Sequence, residues 1–181
     1  MPQMTTNALC MLSTRADISL RPVAATDDAF LRALYAQVRA PELAATEWTE
    51  AQKQHFCNTQ FDAQDSHYRA YYPSATLQII ETIDAQGIAA PAPVGRLYWV
   101  PMQDAKQEVL MEISIVNEAR GKGIGTYLIT QILARAVAQG SSVSLHVEPH
   151  NPAHRLYERL GFTVIDRTPV YDEMLWRPPT I

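Results

Sequence analysis

Cysteine is nearly absent. The two present, Cys10 and Cys57, have neither the spacing of metal ligands nor the pattern of a disulfide framework, so they read as free thiols in a reducing compartment. No apolar run approaches the eighteen residues that would suggest a membrane-spanning helix. The start, MPQMTTNALCMLSTRAD, lacks the charged and apolar regions of a signal peptide, and a cytoplasmic location is the expectation. Positive charge is not in excess: 15 Lys and Arg stand against 19 Asp and Glu, a formal net charge of −4. That argues against nonspecific nucleic-acid binding, so neither nucleic acid nor membrane is expected as a partner. His55 and His67 have no paired spacing with carboxylates that would make a zinc site, and no metal is expected.

What is there is a globular composition. With 181 residues, 47% hydrophobic and 19% charged, the chain can bury a core without metals or disulfides. No internal repeat or domain boundary is visible. The expected organisation is a flexible arm over 1–16, one domain over 17–177 and a short tail over 178–181.

The most informative stretch is VLMEISIVNEARGKGIGTYLITQILARAVAQG, Val109 to Gly140. Met111, Ile113 and Ile115 alternate with Glu112, Ser114 and Val116 at the period of a strand. Glycines 121, 123 and 125 bracket a reversal. Ile124, Tyr127, Leu128, Ile132, Ala136 and Val137 then recur as the buried stripe of a helix, and Gly140 reads as its stop. Glycines ahead of a helix expose consecutive amide N–H groups where the helix leaves its own first donors unpaired, which makes a nest for phosphate. Arg120 and Lys122 add positive charge beside it.

Two familiar phosphate loops are excluded. A mononucleotide loop needs a hydroxyl after its lysine, and Lys122 is followed by Gly123. A dinucleotide fingerprint would need glycine at 126, where Thr126 stands. The remaining pattern is Arg120-x-x-Gly123-x-Gly125 directly after an apolar strand. A second block, NPAHRLYERLGF, follows at residues 151–162. Asn151 is a candidate N-cap, Pro152 suits the first helical position, and Gly161 a C-terminal stop.

Together these blocks resemble the GNAT superfamily of acyl-CoA-dependent N-acetyltransferases, most firmly over 109–162. The resemblance implies an α/β fold: a single-domain, mixed, splayed central sheet flanked by helices, with acetyl-CoA wedged where two parallel strands part. It implies direct transfer of an acetyl group to a primary amine, with no covalent enzyme intermediate. The pyrophosphate would rest on Arg120, Gly121, Lys122, Gly123, Ile124, Gly125 and Thr126. The pantetheine arm would pair with the backbone of Ile113, Ser114 and Ile115, and Asn151 would complete the cofactor site. An N–H near Ile115 could stabilise the oxyanion. Tyr157, the tyrosine of the second block, would donate a proton or hydrogen bond to the leaving thiolate; by helical spacing alone it could equally be a core aromatic beside Ala153, Leu156 and Leu160. Glu112 is the candidate base, with pairing to Arg96, or an ordered water, as the alternative. His146 and Glu148 alternate away from the apolar residues of Val143–Val147.

The rest of the chain reads as a strand at Ile18–Arg21, a helix from Thr26 or Asp27 that Pro41 ends or kinks, and a helical segment over 46–72. Strands follow at Thr76–Ile83 and Val94–Val100, with a turn at Asp84–Gly87, a tip at Ile88–Pro93 and a loop at Pro101–Gln107. Val143–Val147 is placed parallel to the central strand. An antiparallel pair, Phe162–Ile165 and Val170–Trp176, closes the chain. Tyr35, Trp48, His67, Arg69 and Tyr72 are the candidate acceptor-binding residues. Arg69 and Arg39 favour an anionic handle on the acceptor, whereas Glu42, Glu47, Glu50 and Asp65 favour a cationic one. A small-molecule amine is the expected acceptor, ahead of a protein or peptide amine and of a non-catalytic acyl-CoA-binding or interaction module. A homodimer is left open.

Overall fold

The computed structural model describes residues 15–83, 90–101 and 106–179. The 84–87 turn, residues 88 and 89 of the 88–93 tip, the centre of the 101–107 loop, Cys10 and the arm up to 14 lie outside the described residues, and β3 already begins at Ala92 within the tip. A seven-stranded sheet has the order β1-β2-β3-β4-β5-β7-β6. Its strands are β1 (Ile18–Pro22), β2 (Thr76–Thr82), β3 (Ala92–Pro101), β4 (Gln107–Ile115), β5 (Ser142–Val147), β6 (Thr163–Arg167) and β7 (Asp172–Trp176). The first four pair antiparallel, and β4 and β5 pair parallel. The closing hairpin does not follow chain order, because β7 rather than β6 lies beside β5.

Helices cover both faces. On one lie α3 (Ile124–Gln139) and the short α4 (His154–Arg159). Ile124, Leu128, Ile129, Ile132, Leu133 and Ala136 of α3 pack there on Leu97, Trp99, Val143, Leu145 and Val147. The stripe is shifted from the sequence expectation: Val137 is 49% exposed, while Ile129 and Leu133 are buried. On the other face, α1 (Asp28–Leu43) and α2 (Glu50–Tyr71) bury Leu31, Tyr35, Leu43, Cys57 and Phe61 against Ile79. Burial raises the Cys57 thiol above its ordinary value. Pro41 does not end α1. A proline takes away one helical donor, yet the helix runs on to Leu43, whose side chain is buried, and Ala44 N–H still reaches Ala40 O at 2.9 Å. In α2, Thr49 and Gln52 form a capping box, Gln52 N–H donating to Thr49 Oγ1 and Thr49 N–H to Gln52 Oε1.

Charged side chains tie β1 to both neighbours. Arg21 donates to Asp27 just before α1 (2.7 and 2.8 Å) and to Glu81 of β2 (2.7 Å). The hydrogen bonds from Arg21 hold the Asp27 carboxyl below its usual range. Because the folded-state value is the lower one, Asp27 stabilises the fold above its unfolded pKa of about 3.9, and that contribution is lost as pH falls through the folded value. Asp27→Asn should therefore flatten the loss of urea stability between about pH 5 and pH 2. A slope equal to wild type would place the acid sensitivity elsewhere.

Gly95 lies where β3 meets the end of β4. A Cβ there would sit 2.3 Å from the carbonyl oxygen of Ser114, a backbone atom that cannot swing aside. Gly95→Ala should cost about 1–3 kcal/mol, as overpacking of a close-packed interior does, read as a lower urea midpoint at unchanged slope. A midpoint within error of wild type would refute the close approach.

Candidate active site

The parallel ladder between β4 and β5 is short. It runs from Gln107↔Ser142 to Leu110↔Leu145 and stops. Beyond it β4 continues as Met111–Ile115, with Glu112–Ile115 still paired to β3 on its other side. The edge of 111–115 that faces β5 is therefore unpaired in the sheet. A strand edge with free N–H and C=O groups is a template for an extended, amide-bearing ligand.

A β-bulge sits at the base of this fork. Tyr98 pairs with Glu112 but Trp99 with Leu110, so Met111 has no residue opposite. The extra residue reverses which positions face which helix layer. Before it, the buried Glu108 and Leu110 point to the α3 side, where Glu108 accepts from Ser141 Oγ at 3.0 Å and Arg135 lies 3.9 Å away. After it, Ile113 and Ile115 take that side, beneath Gly125 and Leu156. Glu112 and Ser114 consequently turn toward α1 and α2. Simple alternation of apolar and polar residues did not foresee the bulge or the buried Glu108.

At the mouth of the fork the glycine loop has the conformation its sequence suggests. Gly121 and Gly123 both have φ of +74°, a region open to glycine at no steric cost. Gly123 caps α3, and the first helical bond runs from Tyr127 N–H to Gly123 O at 2.9 Å. The N–H groups of Ile124, Gly125 and Thr126 thus precede that first bond, at the positive end of the helix dipole. Arg120 does not extend freely from the loop: its Nε donates to Ile115 O at 2.8 Å and locks loop to strand end. Arg15, which sequence assigned to a loose arm, also docks here, donating from Nη1 to Lys122 O and from its backbone N–H to Tyr127 Oη, both at 3.2 Å. Asn151 spends its Oδ1 on the Ala153 N–H (2.9 Å), capping the turn ahead of α4.

Tyr157 is buried, with its ring edge-on to Phe162 at 5.7 Å. Its hydroxyl has no hydrogen-bond partner among the described residues. Burial, with a further push from the Glu112 charge, raises it to about 12, so the phenol stays protonated throughout the neutral range. Glu112 takes the pairing that sequence left as an alternative. Its carboxylate is 3.0 Å from Arg96 and accepts from Ser114 Oγ, with Tyr68 Oη at 3.5 Å. Arg96 is only 3% exposed and also donates to Gln64 Oε1 at 2.8 Å, so α2 helps to hold the pair.

The candidate acceptor residues are not gathered in one place. Tyr35 is a core residue, edge-on to Phe61 at 6.0 Å. Trp48 packs on Phe56 and lines a groove with Gln52, His55 and Gln60, whose lining includes neither Glu112 nor Tyr157. His67 lies among Tyr68, Tyr71 and Tyr72, with the Tyr71 ring 4.6 Å away. Arg69 is exposed and already bound to Asp65 at 2.7 Å. Arg39 bridges Glu42 (3.0 Å) and Glu148 (2.8 Å), beyond the end of β5. The helical angle that decides these placements is not readable from residue type. Among the described residues no three His, Cys, Asp or Glu side chains group as metal ligands would.

The family model for the acetyltransferase (GNAT) family matches residues 42–162. This chain belongs to the GNAT family. Solved structures agree in fold. The PaiA N-acetyltransferase of Thermoplasma acidophilum, determined with coenzyme A, superposes with a TM-score of 0.63 at 15% identity, covering 88% of this chain and 98% of that one. A chimeric spermidine N-acetyltransferase from Vibrio cholerae gives 0.58 at 21% identity, covering 90% and 96%. Mycothiol acetyltransferase of Corynebacterium aurimucosum is 36% identical over 89 residues, which is 46% of this chain and 29% of that protein. The chain thus spans less than a third of the length of the curated relatives it matches.

Proposed function

We propose that this GNAT chain transfers an acetyl group from acetyl-CoA directly to the amine of a small molecule. The observation that carries the reading is the open edge of Met111–Ile115, which begins at the fork and ends at the glycine loop. The pyrophosphate would rest on the amides of Gly121 to Thr126, and the pantetheine would add to the sheet along 113–115. Four residue steps of strand span roughly 13 Å, so the thioester reaches the bulge at the base of the fork. An oxyanion donor then belongs to the backbone around Met111. Ile115, the sequence expectation, lies at the other end, where Arg120 engages its carbonyl.

Tyr157 supports the leaving group. A phenol near 12 is a weaker acid than a thiol of about 8.5 by roughly 5 kcal/mol, so its contribution is chiefly a hydrogen bond to the developing thiolate. Glu112, paired with Arg96 at 3.0 Å, stands on the acceptor side of the fork in this reading.

The case for an anionic handle on the acceptor weakens, because Arg69 and Arg39 are both engaged by carboxylates. The reading is a small primary amine with no obligatory acidic group. Calorimetry with acetyl-CoA, followed by thiol release with spermidine, L-lysine, glucosamine and a short peptide, tests it. Absence of cofactor binding would sink the reading, and turnover of the peptide alone would move the acceptor to a protein terminus.

A further inference from the structure

We infer that His146 is the general base that deprotonates the acceptor amine; this rests on the acetyl-transfer reading. The argument starts from where β4 and β5 separate. Leu145 is the last β5 residue paired to β4, and His146 is the next one. It therefore stands at the base of the fork, across the opening from Met111 and Glu112. The side of the sheet follows from burial. Val143, Leu145 and Val147 all pack in the core under α3, whereas His146 between them is exposed. Its ring therefore lies on the α1/α2 face, the face to which the bulge turns Glu112 and Ser114.

His146 is also uncommitted. Among the described residues its ring nitrogens have no hydrogen-bond or ion-pair partner, and its one ring contact is edge-on to Tyr171, with centroids 4.6 Å apart at 81°. Glu173 lies opposite it on β7, and Glu148 follows beyond the end of β5, bound to Arg39. Glu112, the rival base, is differently placed. Its carboxylate is the counter-charge of a guanidinium only 3% exposed, and protonating it would strand that cation in the interior, an expensive state. A carboxylate so held orients and neutralises; it is poorly suited to cycle a proton. Imidazole is the side chain suited to exchange protons near neutrality.

The protons balance. The ammonium form of the acceptor gives one proton to the His146 imidazole, which later releases it to solvent. The free amine attacks the thioester carbonyl, the C–N bond forms and the C–S bond breaks. The second proton on nitrogen goes to the departing thiolate, by way of water or the Tyr157 hydroxyl. One amide, one CoA thiol and one solvent proton result.

The test uses the best acceptor among spermidine, L-lysine and glucosamine, with thiol release followed from pH 5.5 to 9.5. In His146→Ala, kcat/KM should fall by about a hundredfold or more, the imidazole-dependent acidic limb should disappear, and acetyl-CoA affinity and melting temperature should stay near wild type. Added free imidazole should restore part of the rate. Glu112→Gln, paired with measurement of melting temperature, should keep the limb even if the rate drops. A His146→Ala profile that superposes on wild type, or loss of the limb in Glu112→Gln alone, overturns the assignment while leaving acetyl transfer intact. A wild-type chain that binds acetyl-CoA yet releases no thiol with any of these amines overturns both.

Discussion

Acetyl-CoA titrated into Gly123→Val should give at least a hundredfold weaker binding than wild type, on a chain that still melts cooperatively. Gly123 sits at φ +74° immediately before α3, and a β-branched residue in that region is a genuine outlier. Space is not the obstacle, because an added Cβ would meet only Arg15 Nη1 at 3.8 Å. The loop must instead change its backbone, which turns away N–H groups that would otherwise converge on a phosphate. The core does not depend on this turn, since Gly123 is exposed. Gly125→Ala is the matched control. Its Cβ would meet Ile115, Ile113 and Leu156 side chains at 3.6–3.9 Å, ordinary contact, and its backbone is helical. Its affinity should stay close to wild type. Calorimetry on both, with circular dichroism to confirm folding, decides the matter: equal affinity in a folded Gly123→Val would remove the cofactor from this loop.

Tyr157→Phe should lower kcat by about tenfold to a thousandfold and leave acetyl-CoA affinity nearly unchanged. The ring packs on Phe162, and phenylalanine keeps that packing. The hydroxyl has no partner among the described residues, so removing it breaks no hydrogen bond of the resting protein. The loss falls on the step in which sulfur becomes negative. Because burial raises the phenol to about 12, its ionisation lies above the working pH range, and the variant should keep the wild-type pH profile at a lower rate. A kcat equal to wild type would reduce Tyr157 to a core aromatic. A loss of stability with full turnover would do the same.

These expectations draw on different levels of the structure. The glycine turn at 120–125, the stops at Gly140 and Gly161 and the parallel β4–α3–β5 unit were legible from residues alone, whereas the Thr49–Gln52 capping box emerged only with the structure. Each of the legible features is local: a positive φ needs glycine, and a period of two or 3.6 records which side is buried. The placement of the candidate acceptor residues was not legible. Tyr35 lies on α1 and Trp48 in the connection between α1 and α2, and where each points depends on everything packed beneath it: one went to the core and the other to an outer groove. Pro41 reads as an end or a kink because its missing donor is a local signal; of the two, the ending is excluded, since α1 runs on to the buried Leu43.

The sequence by itself determined that this chain builds a strand, a glycine turn and a helix in a GNAT arrangement, because those features are written in neighbouring residues. Only the tertiary structure decided what stands at the fork. One extra residue at Met111 turns Glu112 toward Arg96 of the adjacent strand, and the early end of the β4–β5 ladder leaves His146 at the opening. Both depend on pairing between strands far apart in the chain. The same alternation of side chains would have been written whether or not the ladder broke there, so no reading of single residues could locate the break.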